Sequence, residues 1–256
     1  MVRSSKRRKT SNKIIIAVLA VIIICGLTYV AFKFLPQNSP IQLNPSESIP
    51  VVLADPESIP EYNGVDYIIL NDNIPNFTDW DLENTVGEHY SNLDPFGRCG
   101  KAYAMLSSSM IPTGERGDIS NIRPAGFKQQ KYEDIINSDP PMLYHRGHLI
   151  AWALGGDDRL ENITTLTEYT NTSSMLSWEN QVIRFLHDSN LNVLYRVTPY
   201  YKGPDLVCRG LEMEAFSVED KGRSICFHVF VYNVEPNIVI DYKTGNSKAS
   251  DSQNEY

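Results

Sequence analysis

Apolar and polar positions along this chain fall into three regimes. Ile14–Phe32 (IIIAVLAVIIICGLTYVAF) is an uncharged, mostly apolar run, and at the helical rise it spans about 28 Å, close to the hydrocarbon thickness of a bilayer. Pro36 to Pro60 carries six prolines among serines and reads as an extended linker. ESIP occurs there twice, at Glu47–Pro50 and Glu57–Pro60, too briefly to make a repeat architecture. From about Gly64 the periods of a folded domain begin. Tyr67–Leu70 predicts a strand, Lys101–Met110 has helical composition, and Leu143–His145 ends a short strand. Asn180–Leu186 continues a helical period. Leu191–Tyr201 and Cys226–Val234 read as valine- and tyrosine-rich strands, and Ile238–Tyr242 as a last short one. Strands on both sides of the helix predict an α+β fold. The expected organisation is a basic segment 1–13, a membrane span 14–32, a linker 33–63, a folded domain 64–245 and a loose polar tail 246–256.

Charge sharpens the first of these. Seven of the 23 basic residues lie in the first 33 positions with no acid among them, leaving 16 bases against all 31 acids, a net of about −15. The basic cluster before the apolar run predicts a cytoplasmic start and an outside domain. The competing reading is a cleaved signal peptide followed by secretion, but no convincing small-x-small cleavage site follows the run, so an uncleaved anchor is expected. An acidic domain argues against indiscriminate binding to phosphate polymers, though a local basic groove remains compatible with it. Cys25 lies in the apolar run. Among Cys99, Cys208 and Cys226, either Cys208 and Cys226 pair in a disulfide or all three are buried thiols; no CxxC spacing points to zinc.

Candidate chemistry concentrates in the middle of the chain. Two of the five histidines share Tyr144-His-Arg-Gly-His-Leu-Ile150, with a glycine directly before His148 that lets the backbone turn tightly. Downstream come Asn162–Asn171 (NITTLTEYTN) and Ser177-Trp-Glu179, which opens a helical run. A histidine to deprotonate water, an amide oxygen for a hard cation and a carboxylate to fix that cation's waters suit metal-assisted hydrolysis. Singly, each has a bland alternative: a loop histidine on the surface, Asn171 as a helix N-cap, Glu179 as a solvated helix residue.

Together with LNDNIPNF at Leu70–Phe77, LDPFGRCGKAYAML at Leu93–Leu106, MIPTGERGDIS at Met110–Ser120 and RPAGF at Arg123–Phe127, the segment RGHLIAWALGG…ENITTLTEYTN…SWENQVIRFL resembles the DNA/RNA non-specific endonucleases. Within them it is most similar to Gram-positive DNA-uptake nucleases and streptodornase-type DNases. YRVTPYY at Tyr195–Tyr201, LEMEAFS at Leu211–Ser217 and NVEPNIVIDYKTG at Asn233–Gly245 extend the likeness over about Gly64–Gly245.

The resemblance implies a ββα-metal core, with a mostly antiparallel sheet flanked by helices. It also implies Mg²⁺ (with Mn²⁺ able to substitute), DNA as substrate with RNA as a second one, and little sequence preference. Carried over, His148 matches the general base, Asn171 the sole direct metal ligand and Glu179 the acid ordering the metal's waters. Arg116 matches an arginine near the scissile phosphate, and Arg146 a supporting or phosphate-contacting one. The alternative is a surface receptor that holds DNA for uptake without cutting it; the presence of both His148 and Asn171 favours the enzyme. Any protein inhibitor or uptake machinery is invisible at this level.

Two departures stand out. His145 replaces the aspartate common in the family, and Ile183 stands where many relatives carry arginine. A protonated His145 near His148 would lower the latter's pKa, so that His145→Asp would raise the acid limb of the pH–rate profile.

Overall fold

In a computed structural model, residues 59–250 are described; the expectations for 1–13, for the 14–32 span and for most of the linker and of the tail fall outside them. In chain order the strands are β1 (Tyr67–Ile69), β2 (Glu88–Tyr90), β3 (Ala102–Leu106), β4 (Tyr144–His148) and β5 (Ile163–Thr167). They continue with β6 (Val193–Tyr200), β7 (Gly210–Ser217), β8 (Cys226–Tyr232), β9 (Ile238–Asp241) and β10 (Asn246–Ala249). Two α-helices accompany them, α1 (Asp79–Asn84) and α2 (Met175–Asp188). Six strands form one sheet in the order β1-β8-β7-β6-β3-β2, antiparallel throughout. β4–β5 and β9–β10 are separate antiparallel hairpins. This is an α+β fold with few helices.

Period-two alternation sorts the sheet's side chains. Leu211, Met213 and Ala215 of β7 join Tyr195, Val197, Val229 and Val231 in a core that also takes Met175, Val182 and Leu186 of α2. Each large aliphatic side chain fully buried there contributes roughly 1.5–3 kcal/mol. The residues between them, Glu212 and Glu214, therefore face the other side of the sheet, yet both are buried. They are paired rather than isolated. Arg196, Glu214 and His228 stand opposite one another across β6, β7 and β8. Arg196 Nε donates to Glu214 at 2.6 Å, and His228 Nε2 lies 2.6 Å from Glu212. Tyr200 donates to Glu212, and the Asn76 amide to Glu214. Burial opposes a charge on His228, but Glu212 and Glu214 together raise its pKa. Removing one partner of such a network would strand a buried charge.

Three sequence expectations need correction. Lys101–Met110 is not helical: Ala102, Ala104 and Leu106 are buried and Tyr103 and Met105 half-exposed, the alternation of a strand held between β2 and β6. Pairing on both sides overrides the helical composition. The start of the tail is not loose either, since Asn246–Ala249 pairs with β9; its side chains are mostly exposed, so no hydrophobic alternation announced it. Finally, Cys99, Cys208 and Cys226 are all free. Register explains why Cys208 and Cys226 do not pair. Cys226 faces Phe216 at one end of the β7–β8 ladder, and Cys208 precedes Gly210 at the other. Six residues of strand separate those ends by about 20 Å, and a disulfide needs Cα atoms within about 7 Å. The buried-thiol reading holds for Cys99 and Cys208, while Cys226 is half-buried.

Candidate active site

The hairpin β4–β5 runs into α2 with no intervening loop. His148 closes β4 opposite Ile163, and Tyr144 stands opposite Thr167 at the hairpin's other end. The chain then enters a π-helical turn, Thr170–Ser174, continuous with α2. Buried hydroxyls fix that junction. The Thr167 hydroxyl donates to the Val234 carbonyl at 2.6 Å and lies 2.8 Å from the Thr170 hydroxyl. Asn233, fully buried, accepts from the Thr167 amide and donates to the Thr165 carbonyl. A strand–strand–helix unit thus carries His148, Asn171 and Glu179 on one rigid scaffold.

Because the π turn runs straight into α2, Asn171 caps no helix and its amide turns towards β4. Strand alternation places His145 and Gly147 on the face it meets. The Asn171 amide nitrogen lies 3.3 Å from His145 Nδ1. A Cβ added at Gly147 would stand 3.1 Å from Asn171 Oδ1 and 2.3 Å from a Leu166 methyl. Glycine is required here by close approach rather than by turn geometry. Gly147→Ala should therefore destabilise the protein by about 1–3 kcal/mol, as overpacking does, and weaken divalent-metal binding by displacing the amide oxygen. Urea unfolding and a Mn²⁺ titration of the same variant would check both.

His148 lies on the other face of β4. Its ring is 5% exposed. Nδ1 is 3.0 Å from an Arg116 guanidinium nitrogen, and Nε2 is 2.8 Å from Asp158 Oδ1. Desolvation lowers its pKa most; the hydrogen bond to Asp158 opposes this and the Arg116 charge adds to it. The net direction is down, which keeps the imidazole neutral further into the acid range. His145 is not among the groups acting on it, so the expected coupling between the two histidines is absent from this arrangement. Three positions apart on a strand means opposite faces, and His145 is instead lowered by its own burial.

Glu179 falls on the buried stripe of α2 with Met175, Val182 and Leu186, so it is not a solvated helix residue. Its carboxyl makes no hydrogen bond among the described residues, and burial pushes its pKa up to about 8 against the opposing charge of Arg116. The Tyr195 hydroxyl, close enough to feel Glu179, is buried without a partner as well. A buried acid without a hydrogen-bond donor and an amide oxygen set close to Gly147 are donor types that fit a hydrated hard cation: oxygen donors and bound water are what such ions take. Arg146 is engaged elsewhere. Its guanidinium donates to the Ile122 and Ser120 carbonyls at 2.7 and 2.9 Å and covers the Phe127 ring, tying the 118–127 loop to β4.

Glu212, Glu214 and His228 also bring ligand atoms within 4.8 Å of one another. Their oxygens already accept from Tyr200, Arg196, His228 and the Asn76 amide, and an arginine inside the set disfavours a second cation. A cavity of about 540 Å³ between Ile59–Tyr62 and the ends of β6, β8 and β9 contains none of the candidate residues. A smaller one of about 270 Å³, lined by Met110, Trp152 and Asp158 among others, opens beside the histidine's partner. Asp158 escaped the sequence reading because paired acids after two glycines look like an exposed turn.

A sequence model described as DNA/RNA non-specific endonuclease matches residues 81–219. Among solved structures, magnesium-bound NucA from Streptococcus agalactiae is 28% identical with a TM-score of 0.61, over 71% of this chain and 86% of that one. The same protein without metal gives 26% and 0.62, over 76% and 92%. Sda1 nuclease with bound zinc gives 27% and 0.56, over 65% and 83%.

Proposed function

We propose that this chain, which belongs to the DNA/RNA non-specific endonuclease family and is a metal-dependent nuclease, cuts DNA, with RNA as a second substrate, by Mg²⁺-assisted hydrolysis with His148 as general base. The observation that supports this most is the buried, donor-free carboxyl of Glu179 sharing Arg116 with His148. Asn171 Oδ1 would hold the cation directly and Glu179 its bound waters. A magnesium-bound and a zinc-bound structure among the similar nucleases support a divalent ion here. When bound, such an ion stabilises the charge that builds on the scissile phosphate and its leaving oxygen.

The protein's own groups do the rest. His148 takes a proton from the attacking water at Nδ1, a role suited to an imidazole held neutral at physiological pH. Arg116 binds a non-bridging phosphate oxygen. Water attack with the 3′-oxygen leaving yields a 5′-phosphate and a 3′-hydroxyl. Contacts centred on phosphate carry little base information, so sequence preference should be slight. Supercoiled plasmid should be nicked and linearised with Mg²⁺ or Mn²⁺ and left intact in EDTA. Cleavage that persists in EDTA, or DNA binding without cleavage at any metal concentration, would refute the proposal.

The apolar run Ile14–Phe32 with its basic flank supports a single-pass anchor with the nuclease domain outside the cell. Among the described residues no helix is long and apolar enough to cross a membrane. The protein should sediment with membranes, and protease added to intact cells should remove its domain. A soluble form whose N-terminus begins after about residue 33 would show cleavage and secretion instead.

A further inference from the structure

We propose that Asp158 is the positioning residue that makes His148 a base at Nδ1, and that Arg116 caps that nitrogen until a substrate phosphate draws it away. The inference rests on the reading of His148 as general base. Both ring nitrogens are engaged, by groups from different loops. A guanidinium has donors and no acceptor, so Nδ1 must present its lone pair to Arg116. The one proton of the neutral ring then sits on Nε2, where the Asp158 carboxylate accepts it. Arg116 and Asp158 demand the same tautomer.

The loop that carries Asp158 is built to hold it. Asn162, fully buried, accepts from the Ile150 amide at 2.9 Å and donates to the Ile150 and Asp157 carbonyls. The Asp157 amide donates to the Tyr90 hydroxyl at 3.0 Å. A Cβ at Gly117 would stand 2.7 Å from Asp158 Oδ2, so the Arg116 loop and the Asp158 loop meet at a residue with no side chain. Asp158 thus reaches His148 from a fixed turn.

Arg116 occupies the lone pair that the attacking water needs. Phosphate oxygens match a guanidinium better than a ring nitrogen does, because the pair is charge-assisted and bidentate. Substrate binding therefore uncovers the base. The charged groups around His148 are few. Asp158 raises its pKa and Arg116 lowers it; Glu179 of α2 senses Arg116; Arg146 on the same strand is turned to backbone carbonyls. Moving Arg116 away removes a depressing charge, so the base strengthens as the phosphate arrives.

Long-range ¹H–¹⁵N spectra of the full chain labelled at histidine would test this, the His148 signals being assigned by their loss in His148→Ala. The wild type should show Nε2 protonated and Nδ1 bare, and an uncleavable phosphorothioate oligonucleotide added in EDTA should shift Nδ1. Asp158→Asn should lower kcat by about 100-fold or more, move the acid limb of the pH–rate profile down, and lose the single tautomer once the oligonucleotide draws Arg116 off Nδ1. Arg116→Ala should keep the tautomer and move that limb up. An unchanged pH profile in Asp158→Asn, a single tautomer that persists in that variant with the oligonucleotide bound, or an Nδ1 signal indifferent to the oligonucleotide would overturn the proposal. Should Asp158→Asn fail to fold, Asp158→Glu keeps the acceptor and must retain the Nε2 proton; its loss there would also overturn it. Cleavage surviving in His148→Ala would strike the base assignment instead, which the spectra, needing no turnover, leave separate.

Discussion

Asn171→Ala should reduce plasmid cleavage on the order of 1,000-fold and should not recover at high Mg²⁺. The size follows from the role. A cation on the reacting phosphate is worth several kcal/mol of transition-state stabilisation, and each 1.4 kcal/mol is a factor of ten. Asn171 Oδ1 lies against Gly147 of β4, where an added Cβ would stand 3.1 Å from it. The hydroxyl of Thr164, opposite Gly147 on that face, is already paired with Tyr201. Extra metal restores occupancy only when a remaining ligand can fix the ion's position, and Glu179 alone lies buried on the helix beyond. Mn²⁺ binding followed by electron paramagnetic resonance gives a readout that needs no turnover. An unchanged binding curve and unchanged metal dependence in the variant would remove Asn171 from the site.

His148→Ala should lower cleavage by at least about 100-fold, the smaller end of what a positioned general base contributes, while folding and DNA binding persist. Alanine removes the only ring that joins Asp158 to Arg116. Both partners are exposed residues, so water can satisfy them and thermal unfolding should move little. The direction of the His148 shift makes a second expectation of the wild type. Burial holds its pKa below the usual histidine value, so the falling acid limb of kcat/KM should lie below that of a free imidazole. Plasmid assays from pH 5 to 9, with DNA binding measured by fluorescence anisotropy in EDTA, decide both points. Near wild-type cutting by His148→Ala would transfer the role of base to another group.

The proposed catalytic groups were legible because phosphodiester hydrolysis needs few residue types and the candidates stand in order along one stretch. Gly-His at the end of a short strand, an asparagine ahead of a helix and a glutamate two turns on are local features, and the structure lays out β4, β5 and α2 accordingly. The β6 and β8 strands were legible for the same reason, since both are rich in valine and aromatic residues.

What local pattern could not carry is everything set by residues far apart. Ala102–Leu106 has helix-forming composition and becomes a strand because β2 and β6 pair with it on either side. Cys208 and Cys226 looked bridgeable by separation alone, and the β7–β8 register puts them at opposite ends. Glu179 reads as a polar helix residue; only the packing of α2 against the sheet buries it and pushes its pKa up to about 8. His145 and His148 are neighbours in the chain and strangers in space, because a strand turns them to opposite faces. Arg116 and Asp158 lie 32 and 10 residues from His148, and no periodicity links them to it. Sequence order thus determined which groups are candidates for catalysis; the tertiary structure decided which of them touch, since pairing register and helix packing act between segments that no local pattern connects.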